Sequence, residues 1–101
     1  MIYEVAEITV KAGNEASFES GVAQAAPLFL RAKGCHGVSL HRVVEHTSVY
    51  RLLVRWDTVD DHLVGFRESA DFLEWRRLVS DYFAGPPVVT HSEATAKYAS
   101  E

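Results

Sequence analysis

At 101 residues the chain has room for one compact domain and too little for two. No run nears the ~20 apolar residues that cross a bilayer, and the opening MIYEVAEITVK lacks the basic start and apolar core of a signal peptide. A formal charge of −4 argues against nucleic acid or an anionic membrane as partner, and the single Cys35 forms no internal disulfide, so a cytoplasmic location is expected.

Residues 2–10, IYEVAEITV, are rich in β-branched side chains and end at the turn signal Lys11-Ala12-Gly13, which predicts a strand. Asn14 is placed to cap a helix in which Phe18, Val22, Ala25, Ala26, Phe29 and Leu30 recur at helical spacing. Pro27 falls inside that helix and predicts a kink or a new turn, and Gly34 follows the last basic turn as a stop. Residues 37–45 and 49–56 read as two strands, with His46-Thr47-Ser48 as the hairpin link. Thr58 caps the next helix with Asp61 as its partner three residues on, and Val59, His62, Leu63 and Phe66 share one face. Ser69 caps a further helix whose stripe is Phe72, Trp75, Val79 and Phe83, ended by Gly85-Pro86-Pro87. Residues 87–94 form the last strand, and about 95–101 a loose tail.

The order β-α-β-β-α-β predicts an α+β, ferredoxin-like domain: a four-stranded antiparallel sheet with the first and third strands central and both helices on one face. The uncovered face is mixed. Val49, Arg51, Leu53 and Arg55 of one strand join Tyr3, Val5, Glu7 and Thr9 of another, too apolar for water and too charged for a core. A homodimer with two sheets packed face to face is therefore expected.

Spacing decides most of the candidate chemistry. Of the five histidines, His36 and His46 are ~30 Å apart if the strand runs straight, at roughly 3.3 Å per residue, and His41 faces the opposite way. No metal site is expected within one chain, nor a nucleotide cofactor, since the six glycines all stand singly. Cys35 beside His36 reads as structural, and Ser69 and Ser92 lack an elbow motif. His62 has two readings: a core histidine bonded to a backbone carbonyl, or a neutral general base at a partly apolar site, with Asp60 and Asp61 favouring its charged form. His91 reaches the same side for one choice of register. Trp56, Phe66, Phe72 and Trp75 line either a pocket for a flat ligand or the core itself. Arg76 and Arg77 are either a solvated face or an anchor for an anionic or phenolic group.

The pattern W-x5-H-x3-F-x5-F-x2-W, carried by Trp56, His62, Phe66, Phe72 and Trp75, and the closing P-x-V-x-H of Pro87, Val89 and His91 resemble the antibiotic biosynthesis monooxygenase family. With VKAGNEASFE and GCHGVSLHR the resemblance spans nearly the whole chain, so residues 1–101 are expected to be a single domain of that kind. The resemblance implies a dimeric α+β barrel and, in some members, oxidation of anthrone-like aromatics to quinones by O2 without metal or flavin. It assigns His62 as base or orienting group, Trp56, Phe66, Phe72 and Trp75 as substrate-binding, and Arg76 and His91 as polar contacts, with no cofactor. The alternatives are a dimeric small-ligand-binding or stress-related domain without turnover and, further off, a haem-degrading monooxygenase. That last branch carries Asn, Trp and an iron-ligating His where this chain has Ala6, Phe66 and, roughly, Arg76; without the axial ligand the iron has no main hold.

Overall fold

Burial alternates along the first strand, β1 (Ile2–Thr9), in the computed structural model of the chain, which describes residues 1–100. Glu4, Ala6 and Ile8 are covered, while Glu7 and Thr9 face out. The third strand, β3 (Val49–Trp56), repeats the pattern with Tyr50, Leu52, Val54 and Trp56 buried. β1 and β3 pair antiparallel from Ile2↔Trp56 to Thr9↔Val49, so the two buried rows lie side by side. β2 (Cys35–Arg42) flanks β3, and β4 (Val88–Glu93) flanks β1, giving the order β2-β3-β1-β4. This is the ferredoxin-like α+β arrangement, with the first and third strands central.

One face of the sheet is covered by α1 (Glu15–Leu30) and α2 (Ala70–Val79). Phe18, Ala25 and Phe29 of α1 are fully buried in one core with Tyr50, Leu52 and Val54, each large side chain contributing roughly 1.5–3 kcal/mol. The two helices approach so closely that a Cβ on Gly21 would stand 2.7 Å from the Leu78 carbonyl oxygen. No helix among the described residues is long and apolar enough to cross a membrane.

Several local expectations need correction. Asn14 occupies the N-cap position of α1 without a side-chain bond; instead the Gly13 N–H donates to Glu15 Oε1 at 2.9 Å. α1 spans Glu15–Leu30 with Pro27 inside it, as expected. β2 begins and ends earlier than expected, and the link to β3 spans residues 43–48, closed by the Val43 N–H bonding to the Val49 carbonyl at 2.8 Å. α2 stops at Val79, and a 3₁₀ turn, Ser80–Tyr82, swings Phe83 off the helical stripe to bridge Val10. Ser69 caps α2 as expected, its Oγ accepting from the Phe72 N–H at 3.2 Å, and Thr58 Oγ1 accepts from the Asp61 N–H at 3.1 Å.

The segment after β3 departs most from expectation. Asp61–Phe66 is a π-helix, and the Arg67 N–H reaches the His62 carbonyl, five residues back, at 2.9 Å. Such wide turns concentrate at functional sites because the additional residue re-aims the side chains around it. Here His62 and Phe66 are the buried pair, and Val59 and Leu63 are only half-buried.

Candidate active site

Three elements far apart in sequence deliver one line of polar side chains beneath the sheet. Glu4 projects from β1 on the helix-covered face, opposite His91 of β4 and Val54 of β3. The π-helical segment brings His62 to the same point. His62 Nε2 lies 3.3 Å from Glu4 Oε1, and His62 Nδ1 lies 2.8 Å from His91 Nε2. Trp56 closes the inner end, its Nε1–H donating to the same Glu4 Oε1 at 2.9 Å. Its ring stacks on that of His62 with centroids 5.4 Å apart and planes 15° from parallel.

Glu4 and His62 are each only 3% exposed, so their ionisation is costly. Burial pushes the Glu4 carboxyl up to about 7, although the Trp56 bond and the Arg67 charge pull it down. Burial lowers the His62 imidazole to about 4, helped by His91 and Arg67. His91 is lowered as well, by burial and then by Arg67. The charges acting on His62 are thus His91 and Arg67, not the expected Asp60 and Asp61; the Asp61 carboxyl packs against Gly34 instead.

A neutral imidazole has one N–H and one acceptor nitrogen, which leaves the line two arrangements. With Glu4 ionised, His62 carries its proton on Nε2, 3.3 Å from the carboxylate, and accepts at Nδ1 from His91. With Glu4 protonated, the bare His62 Nε2 faces the carboxyl, and His62 Nδ1–H donates to His91. The two differ by one proton, added or removed at the His91 end.

Beside this line lies a cavity of about 390 Å³ between the sheet and the helical layer. Ala6, Ile8 and Leu52 form its floor; Phe29, Phe66, Phe72 and Trp75 form its walls; Glu4 and His62 supply its buried polar end. The exposed Arg67 and Arg76 and the pair Pro86-Pro87 also line it, with Phe83 and Val89. The walls are an aromatic cluster: Phe66 sits 4.6 Å from Phe29 and 5.9 Å edge-on to Phe72, and Phe29 is 5.0 Å from Trp75. The cavity is apolar enough for a flat ring and has acid–base groups at one end only.

Of the residues singled out in the sequence, His62, Phe66, Phe72, Trp75 and Arg76 line this cavity. Trp56 stands behind it, bonded to Glu4 and stacked on His62, while His91 reaches the site through His62 Nδ1. Glu4 and Arg67 are additional. Glu4 is detectable in principle, because period-two alternation puts it on the same strand face as Ala6, Ile8 and Val10, where a carboxylate is out of place.

Residues 1–78 match the model of the antibiotic biosynthesis monooxygenase family. The uncharacterised protein YczJ of Bacillus subtilis (strain 168) is 40% identical over 91 residues, covering 90% of this chain and 96% of that protein. A crystal structure of a Bordetella bronchiseptica protein bearing the antibiotic biosynthesis monooxygenase name superimposes with a TM-score of 0.92 at 58% identity, over 94% of this chain and 97% of that one. A mutant form of SnoaB, a cofactor-independent oxygenase from Streptomyces nogalater, shares the fold at a TM-score of 0.80 and 22% identity, over 95% and 94% of the two chains.

Proposed function

The chain belongs to the antibiotic biosynthesis monooxygenase family, and from that premise we propose that it is a cofactor-independent monooxygenase oxidising a small electron-rich aromatic, of phenol, anthrone or quinone type, with O2. The observation that carries this reading is an aromatic-walled cavity of about 390 Å³ that ends on a buried carboxyl–imidazole pair. An activated aromatic can supply the electrons itself once deprotonated, so the protein needs an acid–base group, a dry cavity and orientation. The carbanion or phenolate reduces O2; one oxygen atom enters the ring as a carbonyl, and the other leaves as water with the two displaced hydrogens.

Phe66, Phe72 and Trp75 hold the ring, and Arg76 meets its oxygenated edge at the solvent side. The Glu4–His62–His91 line provides the acid–base centre. That SnoaB, with the same fold, is a cofactor-independent oxygenase supports the same chemistry here.

A second copy of the chain covers the open sheet face. On that face Val5 pairs with Leu53, both half-buried, and Glu7 accepts from Arg51 Nε at 3.2 Å, so apolar contacts alternate with neutralised charge. The homodimer works in the reducing cytoplasm that its free Cys35 suits.

Oxygen uptake by chelator-treated protein, measured against a panel of phenols, anthrones and quinols, tests the reading. Saturable uptake with one class, unchanged by chelator, is the expected result. Ligands that bind without any oxygen consumption across the panel would overturn it in favour of a non-catalytic binding domain.

A further inference from the structure

His62 Nδ1 pairs with His91 Nε2 at 2.8 Å, and His62 Nε2 lies 3.3 Å from Glu4 Oε1. Taking a substrate proton at either would break the line and create a cation where burial, His91 and Arg67 all oppose one. Glu4 is placed differently. Its Oε1 accepts the Trp56 N–H and lies 3.3 Å from His62 Nε2, no hydrogen bond is recorded at Oε2, and the residue itself lines the cavity.

Resting on the monooxygenase reading, we propose that Glu4 is the catalytic base, accepting the substrate proton at Oε2, and that His62 and His91 are positioning residues that hold the carboxyl and exchange its proton with solvent. The substrate C–H or O–H bond breaks with its electron pair left on the substrate, and the proton bonds to the carboxylate. The neutral carboxyl returns that proton to the reduced oxygen. Between turnovers, from the arrangement in which the carboxyl is protonated and both imidazoles carry their proton on Nδ1, the carboxyl proton passes to His62 Nε2, the His62 Nδ1 proton to His91 Nε2 and the His91 Nδ1 proton to water, which leaves the ionised carboxylate ready. Nothing is oxidised or reduced in this transfer. His91 is the half-buried member of a line whose other two members are sealed, so it is the contact with solvent.

The groups facing Glu4 set its working range. Trp56 from β3 and Arg67 from the end of the π-helical segment stabilise its anion, while burial opposes it. Cys35 of β2 is close enough for the Glu4 charge to help raise its thiol pKa. A carboxyl poised near neutrality is what a general base at physiological pH requires, since its charged form and its proton affinity are then both useful.

The test is the pH dependence of kcat/KM in Glu4→Gln, Glu4→Asp and His62→Gln beside the unaltered dimer, with ligand dissociation constants measured in parallel. Glu4→Gln is expected to lose about 10²–10⁴-fold in kcat/KM, the usual worth of a general base, with ligand binding kept within about tenfold. Glu4→Asp should restore part of the rate if carboxyl chemistry is what is missing. His62→Gln should retain turnover but move the pH midpoint, since the amide can still bond to the carboxyl and cannot relay its proton. Full activity in Glu4→Gln, or abolition in His62→Gln with an unmoved Glu4, would transfer the role to His62.

An infrared titration separates this proposal from the monooxygenase reading. A protonated-carboxyl band that titrates near neutrality, vanishes in Glu4→Gln and shifts in His62→Gln supports the line even if no substrate on the panel turns over. Its absence overturns the line even if oxygen uptake is robust.

Discussion

Trp56 and Glu4 meet diagonally across the central strand pair, the indole Nε1–H donating to Glu4 Oε1 at 2.9 Å with the indole fully buried. This bond lowers the carboxyl pKa against the larger opposing effect of burial. Trp56→Phe removes the donor, keeps most of the ring and leaves a buried acceptor short of a partner. A loss of about 1–3 kcal/mol is expected in urea denaturation at neutral pH, together with an alkaline move of the Glu4 titration midpoint. A midpoint that stays put, or moves to acid, would show that the indole does not hold the carboxylate.

Glu4 also leaves a signature in stability. Its pKa rises from 4.5 unfolded to about 7 folded, so the folded state binds the extra proton between those values. Its contribution is therefore complete below about 4.5 and is lost as pH rises through about 7. His62 works the other way: lowered from 6.5 to about 4, its contribution is present above 6.5 and is lost as pH falls through 4. The two slopes oppose each other over their shared range. Glu4→Gln deletes only the first, so its stability relative to the unaltered protein should climb by up to about 1.4 kcal/mol per pH unit through that window. Parallel curves for the two proteins from pH 4.5 to 7, the range bounded by those Glu4 values, would refute a raised carboxyl.

Gly21→Ala tests the contact between the two helices. In an isolated helix alanine gains about 1 kcal/mol over glycine. Here the added Cβ would stand 2.7 Å from the Leu78 carbonyl oxygen and 3.1 Å from a Val79 methyl, and a backbone carbonyl cannot rotate away. Overpacking of about 1–3 kcal/mol should cancel or exceed the gain and shift α2, with Trp75, away from α1. A clear rise in the urea midpoint would mean that the helices have room to spare.

Leu53→Arg addresses the open sheet face. Leu53 pairs with Val5 between the charged residues Arg51 and Arg55. A second copy laid over this face would have to bury a third cation in that row, which is several kcal/mol uphill without a partner. Equilibrium sedimentation should report twice the 11.3 kDa chain mass before the change and 11.3 kDa after it. A chain that is monomeric without any change contradicts the homodimer.

Much of the fold is legible from alternation alone. VYRLLVRW fixes both the limits and the facing of β3, because a one-residue slip would turn Trp56 and Tyr50 to the open side. Local propensity fails where tertiary bonds compete with it: Val43 and Val44 look like strand, yet the chain turns there and leaves Val44 88% exposed. The helical wheel of residues 59–66 finds His62 and Phe66, and the widened π turn explains why Leu63 is only half-buried. Glu4 is the main omission. A lone carboxylate on an apolar strand face becomes tolerable only through Trp56 and His62, more than fifty residues downstream, and no local pattern announces such partners.

The pairing of β1 with β4, from Ile2↔Glu93 to Glu7↔Val88, joins the two ends of the domain. Synthesis proceeds from the N-terminus, so Glu4 leaves the ribosome before His62, and His62 before His91. An incomplete chain holds the carboxyl and then the first imidazole, but its outlet arrives only with the final strand. On the proposed mechanism, acid–base competence is thus tied to β4: a nascent or clipped molecule that lacks this strand has the carboxyl and the aromatic walls without the outlet for the carboxyl proton.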